Sequence, residues 1–317
     1  MTDTQNEVFK TPVNKIRLFE HGAPGSQNLK LTRKYYTEDM PDGRVKHIVQ
    51  NITDPDIVPY IPDGIGNSTD RQRIPAVLII PGGAFRRLVY NFEGEDVAKW
   101  LNSMGIAAFV LECRLPSDEH DNAEDVPLID AMRAMRVIRG RAQEFGIDEA
   151  KIGVMGFSAG GFMAALLSTA YESDVYADYK YKDEYDKLSA RPDFAVCSYP
   201  VISIDDCIEA GKRYMSEEQV LERISDSKAK ILHKYNPDKL VRLDMPPVFI
   251  CETDDDRTTL SENSVGFYMA ARKAGVSAEL HIFRTGGHGY GCGDDFAQTG
   301  EWKVLFTKWI KSIGIIS

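Results

Sequence analysis

Ser158 stands in Gly156-Phe157-Ser158-Ala159-Gly160, between an apolar stretch at 152–155 and another that begins at Phe162. A serine flanked by glycines at that spacing fits a sharp strand-to-helix turn. Small residues on both sides let strand and helix approach closely and leave the serine oxygen exposed. The N-terminal end of the helix that follows lies beneath the serine, where negative charge develops in acyl transfer. The chemistry this points to is nucleophilic, and a serine nucleophile needs a base, an acid that orients the base, and an oxyanion hole.

The histidines are His21, His47, His120, His233, His281 and His288. His288 alone lies in a glycine-rich loop, Gly286-Gly287-His288-Gly289, beyond the apolar run 278–283. Such a loop can carry an imidazole over the end of a sheet. His281 alternates within the preceding strand and reads as structural, and His120 sits in an acidic polar loop where solvent exposure is expected. In enzymes with this serine turn, the acid lies between serine and histidine along the chain. The run 246–251 reads as a buried strand opened by prolines, and it leads into Glu252-Thr253-Asp254-Asp255-Asp256. Spacing does not separate Asp254, Asp255 and Asp256. Two of the three are expected to be solvated or to cap the next helix.

One oxyanion donor is expected from the N–H of Ala159, the residue after the serine. The other is expected from the turn Pro81-Gly82-Gly83-Ala84, which follows the apolar strand 76–80. Taken alone, paired glycines after a strand are only a tight turn. Their place upstream of the serine gives them a function.

These residues require a framework, and the chain alternates strands with helices after an irregular start. Strands are expected at 106–111, at the run into Ser158, at 193–199 and at 278–283, with helices at 95–103, 127–139, 261–274 and 302–313. The 127–139 helix places Leu128, Ala131, Met135 and Ile138 near one face and its arginines on the other. Asp125 is a candidate cap, with Pro127 in the first turn. Residues 1–72 read as an extension with edge strands near 15–19 and 47–51, forming the antiparallel edge of the sheet. Alternation of this kind implies a mostly parallel, doubly wound sheet with helices on both faces, an α/β fold. Two segments interrupt it, 171–190 and 204–242. The first is crowded with tyrosines, among them Tyr176, Tyr179, Tyr181 and Tyr185, which either stack on sugar rings or, the preferred reading, belong to a solvated helical insert or a subunit contact. The second is polar and helical in character.

In order, the segments Pro81-Gly82-Gly83, Arg114-Leu115-Pro116, Asp130-Ala131-Met132-Arg133-Ala134, Gly156-Phe157-Ser158-Ala159-Gly160-Gly161, Glu262-Asn263-Ser264 and Gly286-Gly287-His288-Gly289 resemble the α/β-hydrolase superfamily. Within it they are similar to the acetylxylan-esterase-like and hormone-sensitive-lipase-like carbohydrate esterases, over about residues 75 to 315. The resemblance implies a single α/β-hydrolase domain over 1–317, with insert or cap segments at the two interruptions. It places the triad acid six positions before Glu262, which selects Asp256. Pro81 replaces the histidine of the lipase oxyanion motif and Ala84 replaces its third glycine, so the lining amide is that of Gly83 or Ala84. The activity implied is a serine esterase that removes short acyl groups, acetyl foremost, from carbohydrates such as xylo-oligosaccharides. A general short-chain carboxylesterase or an arylformamidase-like amidase would use the same triad. A silent scaffold and a prolyl-oligopeptidase-type peptidase are remoter readings.

The chain has 317 residues, is 43% hydrophobic and carries a formal charge of −10, which suits a large buried core and argues against nucleic-acid binding. No apolar run approaches the length of a membrane span. The first seven residues lack a basic start and an apolar core, and the five cysteines (113, 197, 207, 251, 292) are scattered, so free thiols and a cytoplasmic location are expected. His288, Cys292, Asp294 and Asp295 match no standard zinc or calcium spacing, and no metal or cofactor is expected. The expected partner is a small ester or oligosaccharide, and a homo-oligomer is left open.

Overall fold

The computed structural model describes residues 9, 12–65, 73–216, 218–220, 227–293 and 298–317. Its strands run β1 (Ile16–Arg17), β2 (Lys34–Asp39), β3 (Val45–Gln50), β4 (Asp56–Tyr60), β5 (Ile74–Ile80), β6 (Leu88–Val89), β7 (Ala107–Glu112), β8 (Ile147–Phe157), β9 (Ala195–Ser198), β10 (Val248–Thr253) and β11 (Ala278–Phe283). The main sheet has eight strands in the order β1-β4-β7-β5-β8-β9-β10-β11. From β7 to β11 every pairing is parallel, while β1 and β4 join antiparallel. The central strands β5, β7, β9 and β10 are buried along nearly their whole length, which explains why they read as unbroken apolar runs rather than alternating ones.

Right-handed crossovers assign the helices to faces. From β5 the chain moves one way to β7 through α1 (Asp96–Ser103), then returns past β5 to β8 through α2 (Val126–Gly140) and the short α3 (Ala142–Phe145). Next come α4 (Ala159–Ala170), α5 (Ile204–Tyr214), α6 (Ser227–Lys234), α7 (Ser261–Lys273) and α8 (Trp302–Ser312). Trp100 of α1 meets Trp302 of α8 edge-on at 5.0 Å on one face, while α2 packs against α4 on the other. Because the connections leave β5 and β8 toward opposite sides, a crevice opens at their carboxyl ends.

Several expectations need correction. The candidate strand near 15–19 is the edge of the main sheet, but that near 47–51 belongs to a separate three-stranded antiparallel sheet, β2-β3-β6. The 171–190 segment is no helix: it is a chain of turns with a single short 3₁₀ turn at Glu184–Lys187. It lies on the arginine face of α2, so Arg133 is buried there. That side chain donates to Asp183 at 2.7 Å, to Asp186 at 3.1 Å and to the Leu18 carbonyl at 2.9 Å. Tyr176 is buried with its hydroxyl against Arg136 and Asp186, a phenol held by ions instead of offered to a sugar. Asp125 does not cap α2. Its carboxylate accepts from Tyr235 at 2.5 Å and from Lys234 at 2.8 Å, tying the residues at the end of α6 to the body. His120 is buried, not solvated, because Ser26 of the N-terminal extension covers it at 3.0 Å. Within 204–242 the described residues include two helices, α5 and α6, as expected, while residues 217 and 221–226 lie outside the described residues.

Cys113, Cys197 and Cys251 are buried free thiols and Cys292 is partly buried, while the side chain of Cys207 lies outside the described residues. No described helix is long and apolar enough to cross a membrane.

Candidate active site

Five loops leave the carboxyl ends of parallel strands and converge. The first turn, after β8, carries Ser158 in a backbone conformation with φ 54° and ψ −118°, outside the usual regions for a side-chain-bearing residue. Close packing imposes it. A Cβ on Gly156 would stand 1.9 Å from the Gly160 carbonyl oxygen, and one on Gly160 would stand 1.9 Å from that of Ile80. The Ser158 N–H donates to the Ser198 carbonyl at 3.0 Å, which fastens the turn to β9.

His288 comes from the loop after β11, whose Gly286, Gly287, Gly289 and Gly291 have φ of 154°, 63°, 79° and 51°. Its Nε2 lies 2.8 Å from Ser158 Oγ and its Nδ1 lies 2.6 Å from Asp256 Oδ2. With the Nδ1 proton donated to the carboxylate, Nε2 is free to accept the serine proton. The structure brings Ser158, His288 and Asp256 together, and it separates the three aspartates. Asp256 is buried, whereas Asp254 and Asp255 are exposed. Asp255 accepts the amides of Gly286 at 3.0 Å and Gly287 at 2.8 Å, so it holds the histidine loop.

Burial alone would push the Asp256 carboxyl up, but His288 and the amides of Thr259 and Thr258 outweigh it and hold the group below its ordinary value. Those amides donate to Oδ1 at 3.0 and 2.7 Å, and the Thr259 hydroxyl donates to Oδ2 at 3.0 Å. Behind it, burial and the nearby Asp256 raise Glu252 well above the usual carboxyl range.

On the oxyanion side, Gly82 N–H is already committed to Glu93 Oε2 at 2.9 Å. Gly83 and Ala84, with φ of 136° and 57°, follow in the same turn. Ala159 opens α4, so its N–H has no intrahelical acceptor. An apolar crevice of about 10 Å³ lies beside Gly82 and Ala159, walled by Ile80, Phe85, Leu115 and Met163. Asp294 and Asp295, raised above as metal candidates, lie outside the described residues, and no group of three potential ligands occurs among the described ones.

Sequence reasoning named Asp255 only as a candidate acid, not as the holder of the histidine loop, and missed Thr259, Glu93 and Tyr199. Only Thr259, three residues past an acid at a helix entry, carried a readable signal.

A turn of this geometry, with an imidazole and a carboxylate in line, is an arrangement for acyl transfer. Residues 65–270 match the BD-FAE family model. The chain belongs to the BD-FAE family. This BD-FAE chain is 31% identical over 240 residues to an acetylxylan esterase of Xylanibacter ruminicola, covering 75% of the chain and 45% of that protein. It is 31% identical over 227 residues to endo-1,4-beta-xylanase B of Butyrivibrio fibrisolvens, covering 71% of the chain and 34% of that protein. The chain thus spans less than half the length of these curated relatives. Among solved structures, the acetyl ester-xyloside bifunctional hydrolase of Caldicellulosiruptor lactoaceticus superposes with a TM-score of 0.71 at 35% identity, over 96% of this chain and 97% of that one. An esterase of Thermogutta terrifontis, 24% identical with a TM-score of 0.64 over 93% and 96% of the two chains, shares the fold. The BD-FAE chain has the α/β-hydrolase fold, with its mostly parallel sheet and a helix layer on each face.

Proposed function

We propose that this protein is a serine esterase that releases short acyl groups, acetyl foremost, from acetylated xylo-oligosaccharides. The observation that carries it is the aligned Ser158–His288–Asp256 chain, at 2.8 and 2.6 Å, in a family whose relatives include an acetylxylan esterase. His288 takes the Ser158 proton as the serine oxygen attacks the ester carbonyl, and Asp256 steadies the imidazolium. Amides of Ala159 and of Gly83 or Ala84 receive the oxyanion; losing one such donor typically costs about 10²–10³ in turnover. His288 then protonates the departing sugar oxygen as its bond to the acyl carbon breaks, releasing the hydroxyl, and water resolves the acyl-enzyme by the reverse steps.

The small crevice beside Gly82 and Ala159 supports a short acyl group. Its volume of about 10 Å³ has room for one methyl-sized group. Acetate release from acetylated xylo-oligosaccharides tests the reading. Rates on the sugar ester at or above those on a simple aryl acetate are expected. Hydrolysis of the aryl acetate with none of the sugar ester would sink the carbohydrate assignment and favour a general short-chain esterase.

A further inference from the structure

Two fully buried polar side chains at this site have no part in the proton transfers. Glu93 belongs to a π-helical turn, Asn91–Glu95, a rare element that concentrates at functional positions. Tyr199 follows β9 directly and holds a strained φ of 37°.

We propose that Glu93 and Tyr199 are positioning residues that lock the oxyanion loop to the histidine loop. This rests on the esterase reading above. Gly82 N–H donates to Glu93 Oε2 at 2.9 Å, the Tyr199 hydroxyl donates to Glu93 Oε1 at 2.9 Å, and Gly291 N–H donates to the Tyr199 oxygen at 3.0 Å. The result is one buried hydrogen-bonded chain from the loop after β5 to the loop after β11, passing beneath the reacting groups.

Each end of the chain touches the machinery. A Cβ added to Gly82 would meet Glu93 Oε2 at 2.7 Å and Ser158 Cβ at 2.9 Å, so the carboxyl sits immediately beside the serine turn. By engaging the Gly82 amide it fixes that peptide and leaves the following amides, of Gly83 and Ala84, for the oxyanion. At the other end, the Tyr199 ring lies edge-on to His288 at 5.0 Å and to Tyr290 at 4.5 Å. Its backbone is tied to the acid side of the site as well. Tyr199 N–H donates to the Cys251 carbonyl at 2.7 Å, and the Tyr199 carbonyl lies 3.2 Å from the Thr259 hydroxyl that serves Asp256.

A buried carboxyl is costly in a core that an apolar side chain could fill. Burial pushes this one above its ordinary value, while His288, Tyr199 and Gly82 pull it back. Its retention here is explained by what it orients: misplacing reacting groups by about 1 Å can cost on the order of 10²-fold in rate.

The test uses wild type, Glu93→Gln, Tyr199→Phe, their double variant and Glu93→Ala, with aryl acetate kinetics and thermal melts. Glu93→Gln and Tyr199→Phe are each expected to lower kcat by about ten- to a hundredfold with KM within about twofold, because neither side chain contacts substrate. The double variant should fall no further than about threefold below the worse single, since one chain is cut only once. Gln should retain more activity than Ala, because its amide oxygen still accepts from Gly82. If the Ala variant fails to fold, the Gln and Phe variants decide alone. Wild-type kcat in either single variant, losses that multiply in the double, or a change confined to KM overturns the proposal. A wild type that hydrolyses no ester overturns the esterase reading first, and this one with it.

Discussion

Asp254, Asp255 and Asp256 are identical in chemistry and adjacent in sequence, yet packing gives them separate tasks. The backbone after β10 turns Asp256 inward onto His288 and two threonine amides, and leaves Asp255 outside to hold two glycine amides. Asp256→Asn is therefore expected to lower kcat on an aryl acetate by about 10³–10⁴, by favouring the wrong imidazole tautomer. Asp255→Ala should cost about tenfold by loosening the histidine loop, and Asp254→Asn should stay within about twofold. A larger loss at Asp254 than at Asp256 would reverse the assignment. Ser158 and His288 were legible because a nucleophile turn and a loop that carries an imidazole over the sheet both demand glycines at fixed places. Glu93 was not: Asn91-Phe92-Glu93-Gly94-Glu95 reads as an acidic helix entry, and only tertiary packing puts one of those carboxyls in the interior.

At the scale of elements, the central strands and helices α1, α2, α4, α7 and α8 could be read from apolar runs and helical periodicity. β4 could not, because Pro59 sits inside it. The structure tolerates that proline since β1 pairs only with Asp56 and Ile57, so the strand is already an edge where Pro59 lacks a donor. The 171–190 segment misled for a different reason. Its charges suggest a solvated helix, but buried Arg133 needs acceptors, and Asp183 and Asp186 supply them from turns. The serine turn packs closely against the end of β5. Gly160→Ala puts a methyl 1.9 Å from the Ile80 carbonyl oxygen and is expected to cost about 3 kcal/mol or more, read as a fall in the urea midpoint or loss of folded protein. A Gly160→Ala protein with wild-type stability would show that strand and helix are not held at that distance.

Over the whole molecule, the N-terminal extension is fastened to the body by buried polar groups that no periodicity announces. Arg114 and Asp130 are both fully buried and pair at 2.7 Å, and Arg114 also donates to the Pro24 carbonyl and, at 2.9 Å, to Ser26 Oγ. Asp130→Asn leaves that guanidinium buried without its counter-charge and should cost about 3–5 kcal/mol in chemical denaturation. Ser26 Oγ, which accepts from Arg114, also lies 3.0 Å from His120 Nδ1. Burial and the Arg114 charge push His120 down to about 4 from an ordinary 6.5. Between those values the unfolded chain takes up a proton that the folded chain refuses, so stability falls as pH drops from 6.5 to about 4. His120→Gln should flatten the melting-temperature profile in that window and leave it unchanged above pH 7. An equally steep profile in the variant would assign the loss to other groups.

The account stands on Ser158 being an activated nucleophile at the meeting point of these loops, and the most direct measurement is peptide mass mapping after treatment with a fluorophosphonate. The expected result is one adduct, on Ser158, formed rapidly in the wild type, strongly slowed in His288→Ala and absent in Ser158→Ala. An unlabelled wild type, or labelling unaffected by His288→Ala, would contradict it.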